Sequence, residues 1–412
     1  MRKEALLAGV LALGLLGVTS CGTGNAPANA DGKTDMTWAM WVGGTADQAA
    51  WQKVADTVNE KVPDVHITLQ GSTFADYFTK MSTQLSSNSA PCLVAVQSLR
   101  TAALKDGLLP LNDLVKKNNV NLGDFDKSMI TGLSADGNLY ALPYDVGPMV
   151  MFYNKDMFKA AGLGDPKPGW TTDEFVADAK KLSGSGKYAI AQNSADLNIE
   201  SQVLAYNGGR VVDANGTINA PDPQFAMGLQ WVSDLTNVEK VAAPIAGGDS
   251  SFSSNEFLAG STAMHIDGPW SLLDAKAKAK FNIGITTLPA GPGGTATFSA
   301  GSGWGISQSC KTPDLAFKAL ETMTGPEMLG ELATEGRALS ARTAEQANWF
   351  THAGIPGADA TIKAASATAV PMPSSPNSDQ LGQLFNQYLV KSFNGQESAT
   401  GVMKDIASQL PQ

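Results

Sequence analysis

Residues Leu139 to Phe158, LYALPYDVGPMVMFYNKDMF, form an apolar run that breaks at Pro143 and resumes at Met149. Proline has no amide to give a sheet ladder, and it biases the residue before it toward extended geometry. Asp145 and Gly147-Pro148 lie in the break, and the second run, Met149 to Tyr153, enters a helix after Asn154. A chain leaving one sheet and entering another would look like this, and such a crossing makes a hinge at the base of a ligand cleft. An ordinary loop between neighbouring strands of one sheet fits the stretch equally well.

The rest of the chain repeats a strand–helix alternation. Met36 to Trp41 reads as a first strand and is followed by Gly43-Gly44. Ala46 to Lys61 has helical spacing through Ala50, Val54 and Val58. His66–Gln70 and Leu93–Gln97 read as strands, with a helix over Phe74–Leu85 between them. Beyond the break, Thr171-Thr172-Asp173-Glu174 is a capping box, a Thr followed three residues later by Glu. Strands are then expected at Tyr188–Gln192, Ala263–Ile266 and Ile283–Leu288, and helices at Ile199–Tyr206, Pro223–Val238 and Ser254–Ala259. This second α/β set shows no sequence repeat of the first. Phe298 to Ser307, FSAGSGWGIS, reads as a return crossing whose glycines would let a ligand approach the backbone. Helices are expected to dominate after Pro313, interrupted by Val370–Asn377, VPMPSSPN, an extended loop stiffened by three prolines. At 412 residues the chain exceeds one ordinary core and suits two lobes, each a mostly parallel sheet with helices on both faces.

The first twenty residues have the form of an export signal. Met1-Arg2-Lys3 is a basic start, and Ala5 to Val18 is an apolar run too short to span a bilayer comfortably. Val18-Thr19-Ser20-Cys21 resembles a bacterial lipobox, which would make Cys21 the lipidated first residue, followed through residue 33 by a small, polar tether. Two cysteines remain, Cys92 and Cys310, each beside a predicted strand. A disulfide in an oxidising compartment and two separate buried thiols are both open. The net charge of −10, with no basic run, argues against nucleic acid as a partner.

Taken in order, several motifs resemble those of the extracellular solute-binding proteins of bacterial ABC importers, in the maltose-binding-like, carbohydrate-recognising family. They are Met36–Trp41 with Gly43-Gly44, Ala141–Asp145 with Tyr153–Asp156, and Asn207-Gly208-Gly209. Phe257–Gly260 leading to Met264–Trp270, then Gly303-Trp304-Gly305 and the helical C-terminus, complete the set. The resemblance covers nearly the whole chain. It implies an α/β, two-lobed periplasmic-binding-protein-like fold of type II. Residues 34–142 with 302–343 would form one lobe, and 144–297 with 344–412 the other. It also implies a lipid-anchored monomer on the outer face of the cell membrane, which closes on an oligosaccharide and passes it to the permease without a cofactor.

Sugars present apolar CH faces and hydroxyl rims, so their sites need aromatic platforms and groups that donate and accept hydrogen bonds. Trp41, Trp270 and Trp304 are read as loop or strand-end tryptophans, and Trp270 and Trp304 are favoured as stacking faces over core residues. Asp145, Asp196 and Asp267 follow predicted strands or crossings, where open α/β sheets bind ligands; each carboxylate would accept two hydroxyls, or else merely cap a turn. Gln97, Arg100 and Asn198, the amides of Gly43 and Gly44, and the backbone at Gly303 complete the candidates, with Arg337 within plausible reach. Arg100 would serve equally as an ion-pair partner. The three histidines are far apart, and HExxH, CxxC and GxSxG are absent; His265, in an apolar strand, reads as a core residue. Gly291-Pro292-Gly293-Gly294 lacks the Lys-Ser/Thr of a phosphate loop, and no metal site is expected. An anchored glycan hydrolase using paired aspartates and a receptor for a non-sugar solute such as a peptide or polyamine are the competing readings.

Overall fold

The strand–helix alternation builds two five-stranded sheets. A computed structural model describes residues 32–245, 247–248, 251–294 and 296–411. The export signal, Cys21 and most of the tether lie outside the described residues.

In the first sheet the order is Val65–Ser72, Thr34–Trp41, Leu93–Gln97, Ser302–Ile306 and Ala141–Pro143. The first three strands are parallel, and Ser302–Ile306 runs antiparallel to both of its neighbours. The second sheet has the order Ala242–Ala243, Tyr188–Ala191, Thr262–Asp267, Val150–Asn154 and Ile283–Thr286. Again three strands are parallel, and the fourth, Val150–Asn154, is antiparallel to both neighbours. The two halves therefore share one plan without a sequence repeat. Topology follows from where apolar strands and helices alternate, which constrains residue type and leaves identity free.

The stretch Leu139–Phe158 does cross between sheets. Ala141–Pro143 closes the first sheet and Val150–Asn154 enters the second. Between them Gly147–Pro148 pairs with Phe298–Ala300, which pairs in turn with Val370–Pro371 in a small three-stranded sheet. The expected return crossing is thus present, and the hinge sheet holds one strand that was not expected: Val370–Pro371 is its edge strand and not a free loop. Pro371 donates nothing, but the amides of Val370 and Met372 on either side of it bond Thr297 and Ser299 at 3.0 and 3.1 Å. An edge position tolerates proline in this way.

Local signals explain the helices. Helix Thr45–Lys61 buries Ala50, Trp51, Val54, Ala55 and Val58 on one stripe. The capping box closes both ways: Thr171 Oγ1 accepts from the Glu174 amide at 3.2 Å, and Glu174 accepts from the Thr171 amide at 2.7 Å. One apolar core gathers residues from Met36 to Tyr144 and again from Trp304 to Ala341. Another joins Ile199, Val203 and Phe225 to Leu381, Phe385 and Ile406 of the last two helices. Cys92 and Cys310 form a disulfide with Cα atoms 4.5 Å apart. It joins the start of Leu93–Gln97 to the chain leaving Ser302–Ile306, two strands paired antiparallel.

Candidate functional site

A cavity of about 510 Å³ lies where the two sheets face each other. Trp41, Gln97 and Asp267 are the last residues of their strands and all line it, as expected at the carboxyl ends of an open α/β sheet. The crossings supply its floor through Tyr144, Asp145 and Ala300 to Ser302.

Trp270 lines the cavity with its indole anchored by hydrogen bonding. Its indole Nε1 donates to Asp267 Oδ1 at 2.8 Å, and the Gly268 amide donates to the same oxygen at 2.7 Å. His265 Nε2 lies 3.2 Å from Asp267 Oδ2, and His265 Nδ1 lies 2.9 Å from Ser253 Oγ. Burial pushes the Asp267 carboxyl up, but the bonds from His265, Ser271 and the Gly268 amide outweigh it and hold the pKa below the usual carboxylate value. A Cβ on Gly268 would collide with the Trp270 ring, and one on Gly147 with the Pro269 ring. Both glycines are therefore required by close approach. The expectation that Asp267 grips two sugar hydroxyls is corrected: four protein groups, Trp270, the Gly268 amide, His265 and Ser271, already occupy its two oxygens and tie it to the indole. His265 is buried and satisfied as expected, yet it also lines the cavity.

Asp145 lies buried at the first crossing, where its Oδ1 accepts from the Ser302 amide at 2.6 Å. Burial raises its pKa to about 7, against the lowering pull of the Arg337 charge and the Ser302 bond. The folded chain therefore keeps a proton that the unfolded chain releases between about pH 4 and 7. Stability should fall as pH rises through that window, by at most about 1.4 kcal/mol per pH unit from this group. Urea unfolding at several pH values should show that Asp145→Asn removes this slope. Parallel curves for parent and variant would mean that the proton is not held there.

Arg337 reaches the cavity from the first body. It pairs with Asp47, lies 4.2 Å over the Trp51 ring, and is buried. Asp47 also accepts from the Gly43 amide at 2.7 Å. That amide is consequently spent on the protein, and Gly44 is not among the lining residues, so neither glycine offers a ligand the free amide expected of it. Arg100 donates to Asp379 Oδ1 at 2.6 Å and to Gln97 Oε1, and lies 3.9 Å from Asp196. Asn198 lines the cavity while its Nδ2 holds the Ile266 carbonyl at 2.7 Å.

Trp41 is mostly a packing residue. It is 8% exposed, edge-on to Phe74 and Tyr77 and tilted against Phe78, with only part of the ring at the cavity. Trp304 is corrected outright. It is fully buried in strand Ser302–Ile306, stacked on Tyr144 at 4.4 Å and edge-on to Trp38 and Trp51. Its neighbour Gly303 is also away from the cavity; a Cβ there would strike Leu142 O at 2.6 Å and Leu133 at 2.7 Å. The close approach made possible by that glycine is strand to strand, not ligand to backbone. Phe74 was missed. It begins helix Phe74–Ser86, is 45% exposed and lines the cavity. An aromatic at the first helical position after a strand's carboxyl end was the available signal.

Two α/β bodies joined through a three-stranded hinge sheet around a lined cleft define a hinged ligand receptor. The sequence profile described as "Bacterial extracellular solute-binding protein" matches residues 43–329. The chain belongs to that family. It is 25% identical to a maltooligosaccharide ABC transporter solute-binding lipoprotein of Streptococcus pneumoniae, with 83% of this chain and 81% of that one covered. It is also 25% identical to the maltodextrin-binding protein MdxE of Bacillus subtilis, covering 99% and 96%. The sn-glycerol-3-phosphate-binding periplasmic protein UgpB of Yersinia pestis is 26% identical, covering 57% and 56%. Among solved structures, a Listeria monocytogenes ABC substrate-binding protein in complex with cycloalternan superposes with a TM-score of 0.82 at 22% identity, covering 91% and 97%. Maltose-bound MalE3 of T. maritima gives a TM-score of 0.76 at 19% identity, covering 91% and 98%. These likenesses establish the two-lobed fold.

Proposed function

We propose that this protein is the extracellular substrate-binding component of an ABC importer, capturing an oligosaccharide by lobe closure and delivering it to the permease. The observation that carries the reading is the pinned indole of Trp270 in a cavity also lined by Phe74 and by polar side chains from both bodies. An apolar face beside hydrogen-bonding groups suits a pyranose ring, and 510 Å³ lies in the range of small-ligand sites. The relatives named for maltooligosaccharide and maltodextrin support the same class. Residues 34–142 with 302–343 and residues 144–297 with 344–412 would be the two closing lobes. Cys21 would carry the lipid that holds a monomer at the membrane. No covalent step belongs to this reading: Asp145 is engaged by Ser302, and Asp267 by Trp270, Gly268 and His265.

A thermal-shift screen of the mature chain from Gly22 onward tests it. A ligand at a hundredfold excess over its Kd adds about 2.7 kcal/mol to the native state. A raised midpoint with one family of oligosaccharides, whose length is unchanged after incubation, is the expected result. Shortened product would favour a hydrolase. A rise confined to glycerol 3-phosphate, peptides or polyamines would end the carbohydrate assignment.

A further inference from the structure

Arg100 and Asp379 come from opposite sides of the cleft. Arg100 ends the turn Ser98–Arg100 that follows strand Leu93–Gln97 of the first sheet. Asp379 lies in the first turn of helix Ser378–Phe393, whose Leu381, Leu384 and Phe385 pack with Ile199 and Phe225 of the second body. Arg100 Nε donates to Asp379 Oδ1 at 2.6 Å, and the two side chains are 12% and 32% exposed. Gln97 Oε1 accepts from Arg100 Nη1, and the Phe78 ring lies 4.4 Å from its Cζ, so protein groups flank the guanidinium on two further sides. Nearby, the Ala102 amide donates to Ser374 Oγ at 3.0 Å.

We propose that Asp379 is a positioning residue: it latches the two bodies together through Arg100 and so sets how much of the ligand-free protein is closed. The proposal rests on the transport reading for its benefit, because a receptor that closes readily loses less affinity to its open state. Three observations separate this pair from an ordinary surface contact. It joins residues 279 apart in sequence, one in the turn after a strand of the first sheet and the other on a helix packed in the second body. It is partly shielded, so salt screens it less than a fully exposed pair. Asp379 itself is not among the cavity residues, so a change there acts on a ligand only through Arg100 or through closure. Asp196, 3.9 Å from Arg100 and on the second body, is the other carboxylate facing the guanidinium.

The test compares the parent with Asp379→Asn and Asp379→Glu in the mature chain. Spin labels at one exposed position on each body report the interlobe distance without ligand, and the sugar identified by the screen reports affinity. Asp379→Asn should lengthen and broaden the ligand-free distances, weaken binding about tenfold, and lose the parent's response of distance to added salt. Asp379→Glu, which keeps the charge, should restore both readouts, which a loss of helix stability alone would not do. Unchanged ligand-free distances in Asp379→Asn would overturn the latch whatever the affinity. If no carbohydrate bound, the transport reading would fall, and the distances alone would still decide whether the latch exists.

Discussion

Trp304→Ala should cost about 3–5 kcal/mol of stability and leave the folded fraction with most of its ligand affinity. The residue has no exposed surface. It stacks on Tyr144 at 4.4 Å and meets Trp38 and Trp51 edge-on at 5.4 and 5.9 Å, an aromatic box at the centre of the first body. Each such pair adds about 0.5–1.5 kcal/mol beyond buried area, and truncation would leave a hole that the sheet on one side and helix Thr45–Lys61 on the other cannot easily fill. Trp51 also lies under Arg337, so some slackening of the cleft floor is expected. The measurement is a denaturant midpoint beside a titration at low temperature. An unchanged midpoint with lost affinity would return Trp304 to the ligand, where its glycine-flanked sequence first placed it.

That reversal shows what was legible and what was not. Alternation of apolar strands with capped helices exposed the α/β class, and Pro143 with Gly147-Pro148 marked a crossing, because both are local properties of the chain. Trp304 defeated the same reasoning. Gly303 and Gly305 look like ligand-facing gaps in a one-dimensional view, but backbone carbonyls of Leu142 and Tyr140 fill the space beside them. Which face a strand turns inward depends on partners far away in sequence, here Ala95 and Leu142. Asp267 and Gly43 failed for a related reason. Their positions at strand ends were right, but their hydrogen-bonding capacity is committed to Trp270, His265 and Asp47, and no spacing rule reveals that a carboxylate is already full. Val370–Pro371 was hidden by the prolines in and after it, which read as a loop because the two amides that make it a strand belong to Val370 and Met372, on either side of Pro371. Cys92 and Cys310 stood at defined strand ends, yet pairing them required knowing that the strands adjoin.

Trp270→Ala should weaken oligosaccharide binding by about 2 kcal/mol, roughly thirtyfold in Kd, with little change in the unfolding midpoint. The asymmetry with Trp304 follows from where each ring spends its surface. Trp270 is only partly buried against the second core and lines the cavity, so its removal opens space to solvent more than it hollows the protein. Its orientation is fixed in advance by Asp267, itself held by His265 and the Gly268 amide. A ring already immobilised gives up little conformational entropy when a sugar stacks on it, so more of the contact energy reaches the observed affinity. Trp270→Phe separates the two contributions: it keeps an apolar face but cannot donate to Asp267, and should fall between parent and Ala. If Trp270→Phe bound as tightly as the parent, the Asp267 bond would be irrelevant to orientation. If Trp270→Ala bound as tightly as the parent, the ring would not be the platform, and Phe74, the exposed aromatic across the cleft, would be the next to change.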